Sequence, residues 1–213
     1  MKYKYLLLLI ITLFSNYAKS TELVYHPIDS ESFRSIYSMQ IEESKYNRET
    51  FKFLFGLEML PSQDEVSLAI GNNLLGKLQS LDSNLDSFNL TYVIWQDQQI
   101  VGYIQLKKDV DAEALSLLSP WTGVGNVAEV SFYVFPDSRG RGIAQEAVTW
   151  VQNSLAPQFG VKFILSVNSW NNIASERLIK GKLNALTIAT IEADGDYAKA
   201  NVHLLLSSLA QTF

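Results

Sequence analysis

The spacing of apolar residues divides the chain into a helical first part and a strand-rich second part. After Asp29-Ser30, either of which can cap a helix, apolar residues recur at helical spacing as far as Ile41. Ser62 and Glu65 stand three residues apart and form a capping box. They predict the start of a second amphipathic helix.

Extended apolar runs dominate the rest of the chain and are separated by turns or short helical segments. A helical stripe leads from Ile143 to Leu155, and a shorter helix is expected at about 172–182. Helices, then a meander, then alternating strands and helices with a final hairpin predict an α+β fold, with a mixed, mostly antiparallel central sheet flanked by helices. The runs expected to form strands are Thr21–Tyr25, Leu90–Trp95, Gln99–Leu106, Val127–Phe135, Val161–Val167, Leu186–Ala193 and Asn201–Leu206.

The first twenty residues differ from the remainder. Lys2 and Lys4 precede an apolar run, Leu6–Phe14, and a polar stretch then ends in Ala18-Lys19-Ser20. These are the three parts of a secretory signal peptide. The run is shorter than the ~20 residues of a spanning helix, so a short uncleaved N-terminal membrane anchor is the alternative. The sequence therefore predicts a signal peptide at 1–20 and one domain at 21–213, exported to the periplasm or secreted, without a stable membrane span after cleavage.

Composition excludes several classes of site. The 213 residues include no cysteine and two histidines, which excludes a cysteine nucleophile, a disulfide scaffold and a cysteine zinc site, and no metal is expected. The formal charge is −5, and loss of 1–20 removes three lysines and no acidic residue, which leaves −8. An acidic domain is a poor match for nucleic acid and suits a cationic or small-molecule partner better.

The most informative stretch joins a predicted strand to a predicted helix. The turn Arg139-Gly140-Arg141-Gly142 leads into the helix at Ile143-Ala144. The first turn of a helix offers N–H groups without helical partners and the positive end of its dipole. Because the glycines let an anion approach the backbone and the arginines add charge, these residues predict a diphosphate site. A plain turn with solvated arginines is the alternative, and the spacing matches neither a dinucleotide fingerprint nor a Walker loop.

In this order and spacing, three segments resemble the GNAT superfamily of acyl-CoA-dependent N-acyltransferases, in particular the branch that includes the ribosomal-protein N-terminal acetyltransferases. The family's loop, Arg/Gln-x-x-Gly-x-Gly/Ala, is matched by 139–144. Its preceding strand, Ala-Glu-apolar-x-aromatic, is matched by 128–133, and its Asn-x-x-Ser element by 172–175. The match that carries these motifs covers about residues 127–185.

The resemblance implies the chemistry of that family. The diphosphate of the co-substrate acetyl-CoA would rest on the N–H groups of 139–144, and its pantetheine arm would pair with the end of the preceding strand. The amine would attack the thioester directly, without an acyl-enzyme, which agrees with the absence of cysteine. For Asn172 and Ser175, capping of the following helix is an equally simple role. The residues expected to bind the cofactor are Phe132, Val134, Arg139, Gly140, Arg141, Gly142, Ile143, Ala144, Asn172 and Ser175.

Glu129 and Tyr133 are the candidate catalytic residues. Glu129 would accept the proton of the amine, and alternation places it on the same strand face as Ser131 and Tyr133. A polar role at the exposed start of the strand is the alternative for Glu129. Tyr133, or Tyr197, is a candidate proton donor to the leaving thiolate, with ordinary packing in the sheet as the alternative.

Two features depart from the family pattern. The short helix usually ends in Lys-Leu-Gly-Phe, whereas 182–185 reads Lys-Leu-Asn-Ala. A signal peptide would also take the protein away from cytosolic acetyl-CoA. An exported non-catalytic CoA-binding or interaction module on the same fold is therefore the second hypothesis. The expected acceptor is an amine, such as a protein N-terminus, a lysine, a polyamine or a small amine, and a homodimer stays open.

Overall fold

The computed structural model describes residues 22–46, 62–79, 88–108, 127–169, 172–192 and 199–210. Within these ranges seven strands form one sheet, in the order β1-β2-β3-β4-β5-β7-β6. The strands are β1 Val24–Pro27, β2 Asn89–Gln96, β3 Gln99–Lys107, β4 Val127–Val134, β5 Phe163–Ser169, β6 Leu186–Glu192 and β7 Lys199–Leu206. The helices in the described ranges are α1 Ser30–Tyr46, α2 Gln63–Gln79, α3 Ile143–Trp150 continued by Val151–Leu155 and Ala156–Gln158, and α4 Ile173–Glu176 continued by Arg177–Lys182, with a short 3-10 turn at Pro136–Ser138.

The predicted fold class is confirmed. Strands β4 and β5 are parallel, and every other neighbouring pair of this sheet is antiparallel. The expected signal peptide at 1–20 and Tyr197 lie outside the described residues. Among the helices within the described ranges, none is long and apolar enough to cross a membrane.

Local signals start the first two helices where the sequence predicts them. The Ser32 N–H donates to Asp29 Oδ1 at 2.8 Å, so Asp29 caps α1. At α2 the Glu65 N–H donates to Ser62 Oγ at 3.2 Å, while the Ser62 N–H donates to Glu65 Oε2 at 2.7 Å. These reciprocal bonds are the capping box, and each satisfies an N–H that the helix itself leaves without a partner.

The helices cover the sheet on both faces. One apolar layer joins the sheet to α3 and α4, and its buried members include Ile104, Val130 and Ala147. The other joins the sheet to α1 and α2 through residues such as Ile36 and Ile70. Successive residues of β4 alternate between these layers, since Ala128 and Val130 belong to the first and Tyr133 to the second.

Strands β4 and β5 are paired over only part of their length. The register joins Val127 to Phe163, Ala128 to Ile164 and Glu129 to Leu165, and no pairing between these two strands follows. Beyond this point β4 stays paired with β3 as far as Val134, and β5 stays paired with β7 as far as Ser169. The two strands therefore part at their carboxyl ends and leave a cleft in the middle of the sheet.

Gly102 sits where β3 passes closest to β4. A Cβ added at Gly102 would lie 2.3 Å from the carbonyl oxygen of Tyr133, which belongs to the backbone and cannot turn aside. We expect Gly102→Ala to lower the free energy of unfolding by ~1–3 kcal/mol, the usual cost of overpacking a core. Chemical denaturation followed by circular dichroism measures this change.

Gly71 in α2 provides the matched control. An added Cβ there would meet only Tyr37 Cε2, at an ordinary 3.5 Å. Since alanine is favoured over glycine inside a helix by about 1 kcal/mol, Gly71→Ala should leave stability unchanged or raise it. Equal effects of the two substitutions would show that the contact at Gly102 does not constrain the sheet.

Candidate active site

The loop from β4 to α3 has the geometry of an anion site. Gly140 and Gly142 have φ angles of 76° and 83°, in the left-handed region that side chains rarely adopt. A Cβ added at either glycine would meet nothing within 4 Å, so the space above the backbone is open. The glycines therefore serve the turn itself and also leave room for a ligand beside it.

The N-terminus of α3 faces this open space with its own amides. Gly142 is the N-cap and has no side chain to fill that role. The first helical bond runs from the Glu146 N–H to the Gly142 carbonyl at 3.1 Å. The amides of 143–145 precede this bond, and the positive end of the helix dipole lies among them. This part of the predicted loop thus has donors and charge suited to a diphosphate.

The cleft edge of β4 presents the backbone predicted to pair with the pantetheine arm. The Tyr133 carbonyl faces Gly102 on β3, and the Phe135 N–H donates to the Val101 carbonyl at 3.0 Å. Because backbone groups alternate along a strand, those of Phe132 and Val134 point to the opposite edge, where β5 has parted from β4. The Val134 carbonyl accepts from Arg139 Nε at 2.9 Å, so the backbone groups of Phe132 and the N–H of Val134 are the ones that this edge directs into the cleft.

Arg139 begins the loop, but its side chain turns back toward the sheet. Its Nε donates to the Val134 carbonyl at 2.9 Å, and its Nη2 donates to Glu43 Oε1 at 3.1 Å and to the Tyr133 hydroxyl at 3.3 Å. The guanidinium also lies over the Tyr133 ring, 5.5 Å from its centroid. Arg139 therefore contributes its backbone to the loop, while its side chain ties the loop to β4 and α1.

Arg141, the second arginine of the loop, is exposed and donates to Gln96 Oε1 at the end of β2. This bond holds the loop against the β2–β3 hairpin. Arg141 thus adds charge near the diphosphate site, but its side chain also has a protein partner.

Glu129 lies on the last residue pair before the cleft opens. Glu129 is half-buried. It pairs with Leu165 of β5 on one side and with Lys107 of β3 on the other. Alternation places it on the α1 and α2 side of the sheet with Ser131 and Tyr133, as the sequence predicts. Its catalytic role stays a prediction.

Tyr133 is buried among other aromatic rings. It stacks on Tyr103 at 5.7 Å between centroids and meets the edge of Phe135 at 5.5 Å. Its hydroxyl donates to Glu43 Oε2. Burial, the hydrogen bond to Glu43 and the charge of Glu43 raise the pKa of Tyr133 well above its ordinary value. A hydroxyl with a raised pKa is a poorer proton donor. The surroundings of Tyr133 therefore favour the packing role.

Asn172 and Ser175 start α4 as a capping pair. The Ser175 N–H donates to Asn172 Oδ1 at 3.1 Å. Asn172 is exposed and Ser175 half-buried, and both lie just beyond the carboxyl end of β5. The capping role is therefore present, and contact with the pantetheine arm stays a prediction.

A polar network between α4 and the sheet was not predicted from the sequence. Glu176 Oε2 accepts from Asn168 Nδ2 at 3.1 Å and from Asn201 Nδ2 at 3.3 Å, and it lies 2.9 Å from Nε2 of the fully buried His203. The other ring nitrogen of His203 lies 3.1 Å from Thr187 Oγ1. One carboxylate thus connects α4 to β5 and β7, and through His203 to β6.

The sequence analysis also missed Glu43. It is buried on α1, where the buried positions include Ile36, Gln40 and Glu43. A helical stripe that begins apolar and continues with polar residues is a signal for a buried polar cluster. This signal is present in the sequence, but it does not identify Arg139 and Tyr133 as the partners. Within the described ranges, no group of three or more histidines and acidic residues is placed to hold a metal.

The network around Glu176 makes a pH-dependent contribution to stability. Burial alone would raise the pKa of Glu176, but hydrogen bonds from Asn168 and Asn201 and the proximity of His203 outweigh it and lower that pKa. A carboxylate whose pKa is lowered by folding stabilises the fold above its unfolded pKa, and this contribution is lost as the pH falls through the folded pKa. Glu176→Gln should therefore cost most at neutral pH, and the gap to wild type should close below about pH 4.

Denaturation curves of both proteins from pH 3 to pH 7 measure this gap. Glu31→Gln, an exposed change in the first turn of α1, controls for the loss of one charge. A gap that stays constant over the whole range would show that the ionised form of Glu176 is not what the network requires.

Comparisons with known proteins agree with this geometry. The sequence profile described as the acetyltransferase (GNAT) family matches residues 60–182. No curated protein sequence matches the chain. Similar solved structures do exist, and three of them illustrate the likeness.

The first of these structures is an acetyltransferase from Salmonella typhimurium that modifies the N-terminal serine of ribosomal protein L7/L12. It is 14% identical over 88% of this chain and 96% of its own, with a TM-score of 0.60. The second is spermidine N-acetyltransferase from Vibrio cholerae in complex with CoA and spermine, 14% identical over 91% of this chain and 100% of its own, with a TM-score of 0.60.

The third structure is yncA, a putative acetyltransferase from Salmonella typhimurium with its cofactor acetyl-CoA. It is 16% identical over 86% of this chain and 93% of its own, with a TM-score of 0.52. At these identities the three structures establish the fold. The family profile covers more than half of the sequence and includes the loop, β4 and α4. This chain therefore belongs to the acetyltransferase (GNAT) family.

Proposed function

We propose that the protein transfers the acetyl group of acetyl-CoA to a primary amine by direct attack of the amine on the thioester. The observation that carries this proposal is the conjunction of the open, amide-lined loop with the parted strands. Residues 140–145 would supply donors for a diphosphate, and the cleft edge of β4 would supply the Phe132 backbone groups and the Val134 N–H for an amide-containing arm. Acetyl-CoA carries both groups and supplies an activated acetyl thioester.

The residues at the cleft fit this co-substrate. The positive φ angles of Gly140 and Gly142 turn the backbone without a side chain between it and the ligand. The N–H groups at the start of α3 can hold the diphosphate without a metal, because the helix dipole and Arg141 supply positive charge. At the cleft edge, a strand N–H directed at the thioester oxygen would stabilise the negative charge that develops there.

The proposed acceptor is a cationic primary amine. Two similar structures bear on this point, since one enzyme modifies the N-terminal serine of a ribosomal protein and the other is a spermidine N-acetyltransferase in complex with spermine. The N-terminal amino group modified by the first enzyme and the polyamine in complex with the second both carry a proton at neutral pH. The acidic charge of this chain, −5, favours their approach as a general field effect.

We propose Glu129 as the group that removes this proton. A lysine-like amine has a pKa of about 10.4, so its reactive neutral form is scarce at pH 7. Glu129 is half-buried and lies at the vertex of the cleft. A carboxylate held there can accept the proton from the ammonium group, directly or through one water, and the freed nitrogen lone pair can then attack the thioester carbonyl and expel the CoA thiolate.

Gly142→Glu tests the donor site. Its side chain would place bulk and a negative charge where the diphosphate should lie. We expect the Kd for CoA to rise by at least ~100-fold, since like charges in contact cost several kcal/mol. Isothermal titration calorimetry on residues 21–213 measures this affinity.

Gly160→Glu is the matched control for that substitution. Gly160 also has a positive φ, 67°, and open space above it, but it lies at the far end of α3. The Gly160→Glu variant should bind CoA as the wild type does. Absence of CoA binding by folded wild-type protein would refute the proposed function.

Glu129→Gln tests the base. We expect kcat for an amine acceptor to fall by about 100-fold at pH 7, because general-base catalysis contributes 10²-fold or more. The KM for acetyl-CoA should not change. The deficit should shrink as the pH approaches the pKa of the amine, where the neutral form becomes abundant.

Glu22→Gln, an exposed change before β1, is the control and should retain full activity. A pH-independent deficit in Glu129→Gln would assign Glu129 a structural role. Unchanged kcat would assign the proton to another acceptor or to solvent.

The proposed localisation is export, with the mature chain beginning at Thr21. It is supported by the pattern of residues 1–20 alone. An exported form would need a source of acetyl-CoA outside the cytosol, which keeps the non-catalytic CoA-binding module as the second candidate. CoA binding at wild-type affinity without turnover of any amine would favour that candidate.

A further inference from the structure

A buried carboxylate on α1 contacts Arg139, the first residue of the predicted diphosphate-binding loop 139–144, named the phosphate loop below. Glu43 is 8% exposed and uses both of its oxygens, since Oε1 accepts from Arg139 Nη2 at 3.1 Å and Oε2 accepts from the Tyr133 hydroxyl. Arg139 and Glu43 are separated by 96 positions in the sequence. The contact therefore joins two elements that no local signal brings together.

The network determines the direction in which the Arg139 side chain leaves the loop. Three acceptors hold the guanidinium: the Val134 carbonyl at 2.9 Å, the Tyr133 hydroxyl at 3.3 Å and the Glu43 carboxylate at 3.1 Å. Two of these belong to the end of β4, and the third belongs to α1. Arg139 is thereby fixed to the sheet immediately before Gly140, where the backbone turns into its left-handed conformation.

We propose that Glu43 is a positioning residue of the donor site: through Arg139 it holds the phosphate loop in the conformation that binds the diphosphate of acetyl-CoA. The inference rests on the proposed function. In it, Arg139 braces the loop and is not a ligand of the phosphate. Glu43 touches no reacting atom and acts only through Arg139 and Tyr133.

Electrostatics alone predicts the opposite effect of removing Glu43. A negative charge close to an anion site repels the anion, so neutralising that charge should strengthen CoA binding. Loss of the contact with Glu43 would also let the Arg139 side chain reach the phosphate, which would again strengthen CoA binding. If Glu43 instead holds the loop, its neutralisation should weaken binding, because the loop loses the conformation in which its amides converge. The sign of the change therefore separates the two roles.

The experiment is a double-mutant cycle on CoA binding, with full-length or 21–213 protein. We expect Glu43→Gln and Arg139→Gln each to raise the Kd for CoA about tenfold, within the range of couplings between neighbouring sites. The double variant should be no weaker than either single variant, because both act through one contact. In steady-state assays Glu43→Gln should raise the KM for acetyl-CoA while kcat at saturating donor stays within about twofold, since no group of the chemical step is lost.

Glu42→Gln is the matched control. Glu42 is the preceding residue of the same helix, it is exposed and paired with Lys45, and its substitution removes the same charge. It should bind CoA as the wild type does. Thermal unfolding of each variant establishes that binding is measured on folded protein.

Three results would overturn the inference while leaving the proposed function intact. They are tighter or unchanged CoA binding by Glu43→Gln, additive effects in the double variant, and a fall in kcat with unchanged KM. Failure of the wild type to bind CoA would instead refute the proposed function itself.

Tyr133→Phe replaces Glu43→Gln as the test variant if Glu43→Gln does not fold. It keeps the ring that stacks on Tyr103 but removes the hydroxyl that holds Glu43 Oε2. We expect weaker CoA binding in the same direction, by about threefold, since the hydroxyl bond to Glu43 is lost while the ion pair between Glu43 and Arg139 remains. Unchanged binding in Tyr133→Phe would overturn the inference on its own.

Discussion

The structure depends on the parting of β4 and β5 after three paired residues. Each strand keeps its other neighbour, β3 or β7, to the end, so the parted strands are held firmly on one side. A strand edge inside a protein carries N–H and C=O groups that must find partners. The opening between β4 and β5 is therefore a place where the sheet can accept an extended, amide-containing ligand. Helices α3 and α4 begin where these two strands end, which brings both helix starts to the mouth of the opening.

One buried and one partly buried carboxylate connect the helices to the sheet around this opening. Glu43 on α1 is buried and paired with Arg139, and the partly buried Glu176 on α4 accepts hydrogen bonds from β5 and β7. A buried charge costs several kcal/mol unless it is paired, so breaking the Glu43 cluster exposes that cost of desolvation. Such pairs contribute little net stability but strongly favour one arrangement of the elements. On both sides of the cleft, the polar clusters act as determinants of geometry more than of overall stability.

Much of the fold could be predicted because its signals are local. The capping box at Ser62 and Glu65, the alternation in β4 and the apolar stripe of α3 each depend on residues a few positions apart. The open backbone of the phosphate loop was also predictable, since Gly140 and Gly142 have no side chain to block an approaching anion. Side-chain partners were not predictable in the same way. Arg139 contacts Glu43, which lies 96 positions away, and His203 contacts Glu176, which lies 27 positions away. Contacts of this kind arise only when elements pack, and no periodicity of one segment encodes them.

The proposed donor site consists mainly of main-chain groups, and this has an evolutionary consequence. An amide presents the same N–H whichever side chain its residue carries, so most positions of the loop and of the cleft edge are free to change without altering what the ligand meets. Selection then acts on the two glycine conformations, on the parting of the strands and on the few side chains that brace them. A lineage under such selection can retain its architecture long after its sequence has drifted. The 14% identity that accompanies 88% coverage of a related fold is the divergence such a site permits.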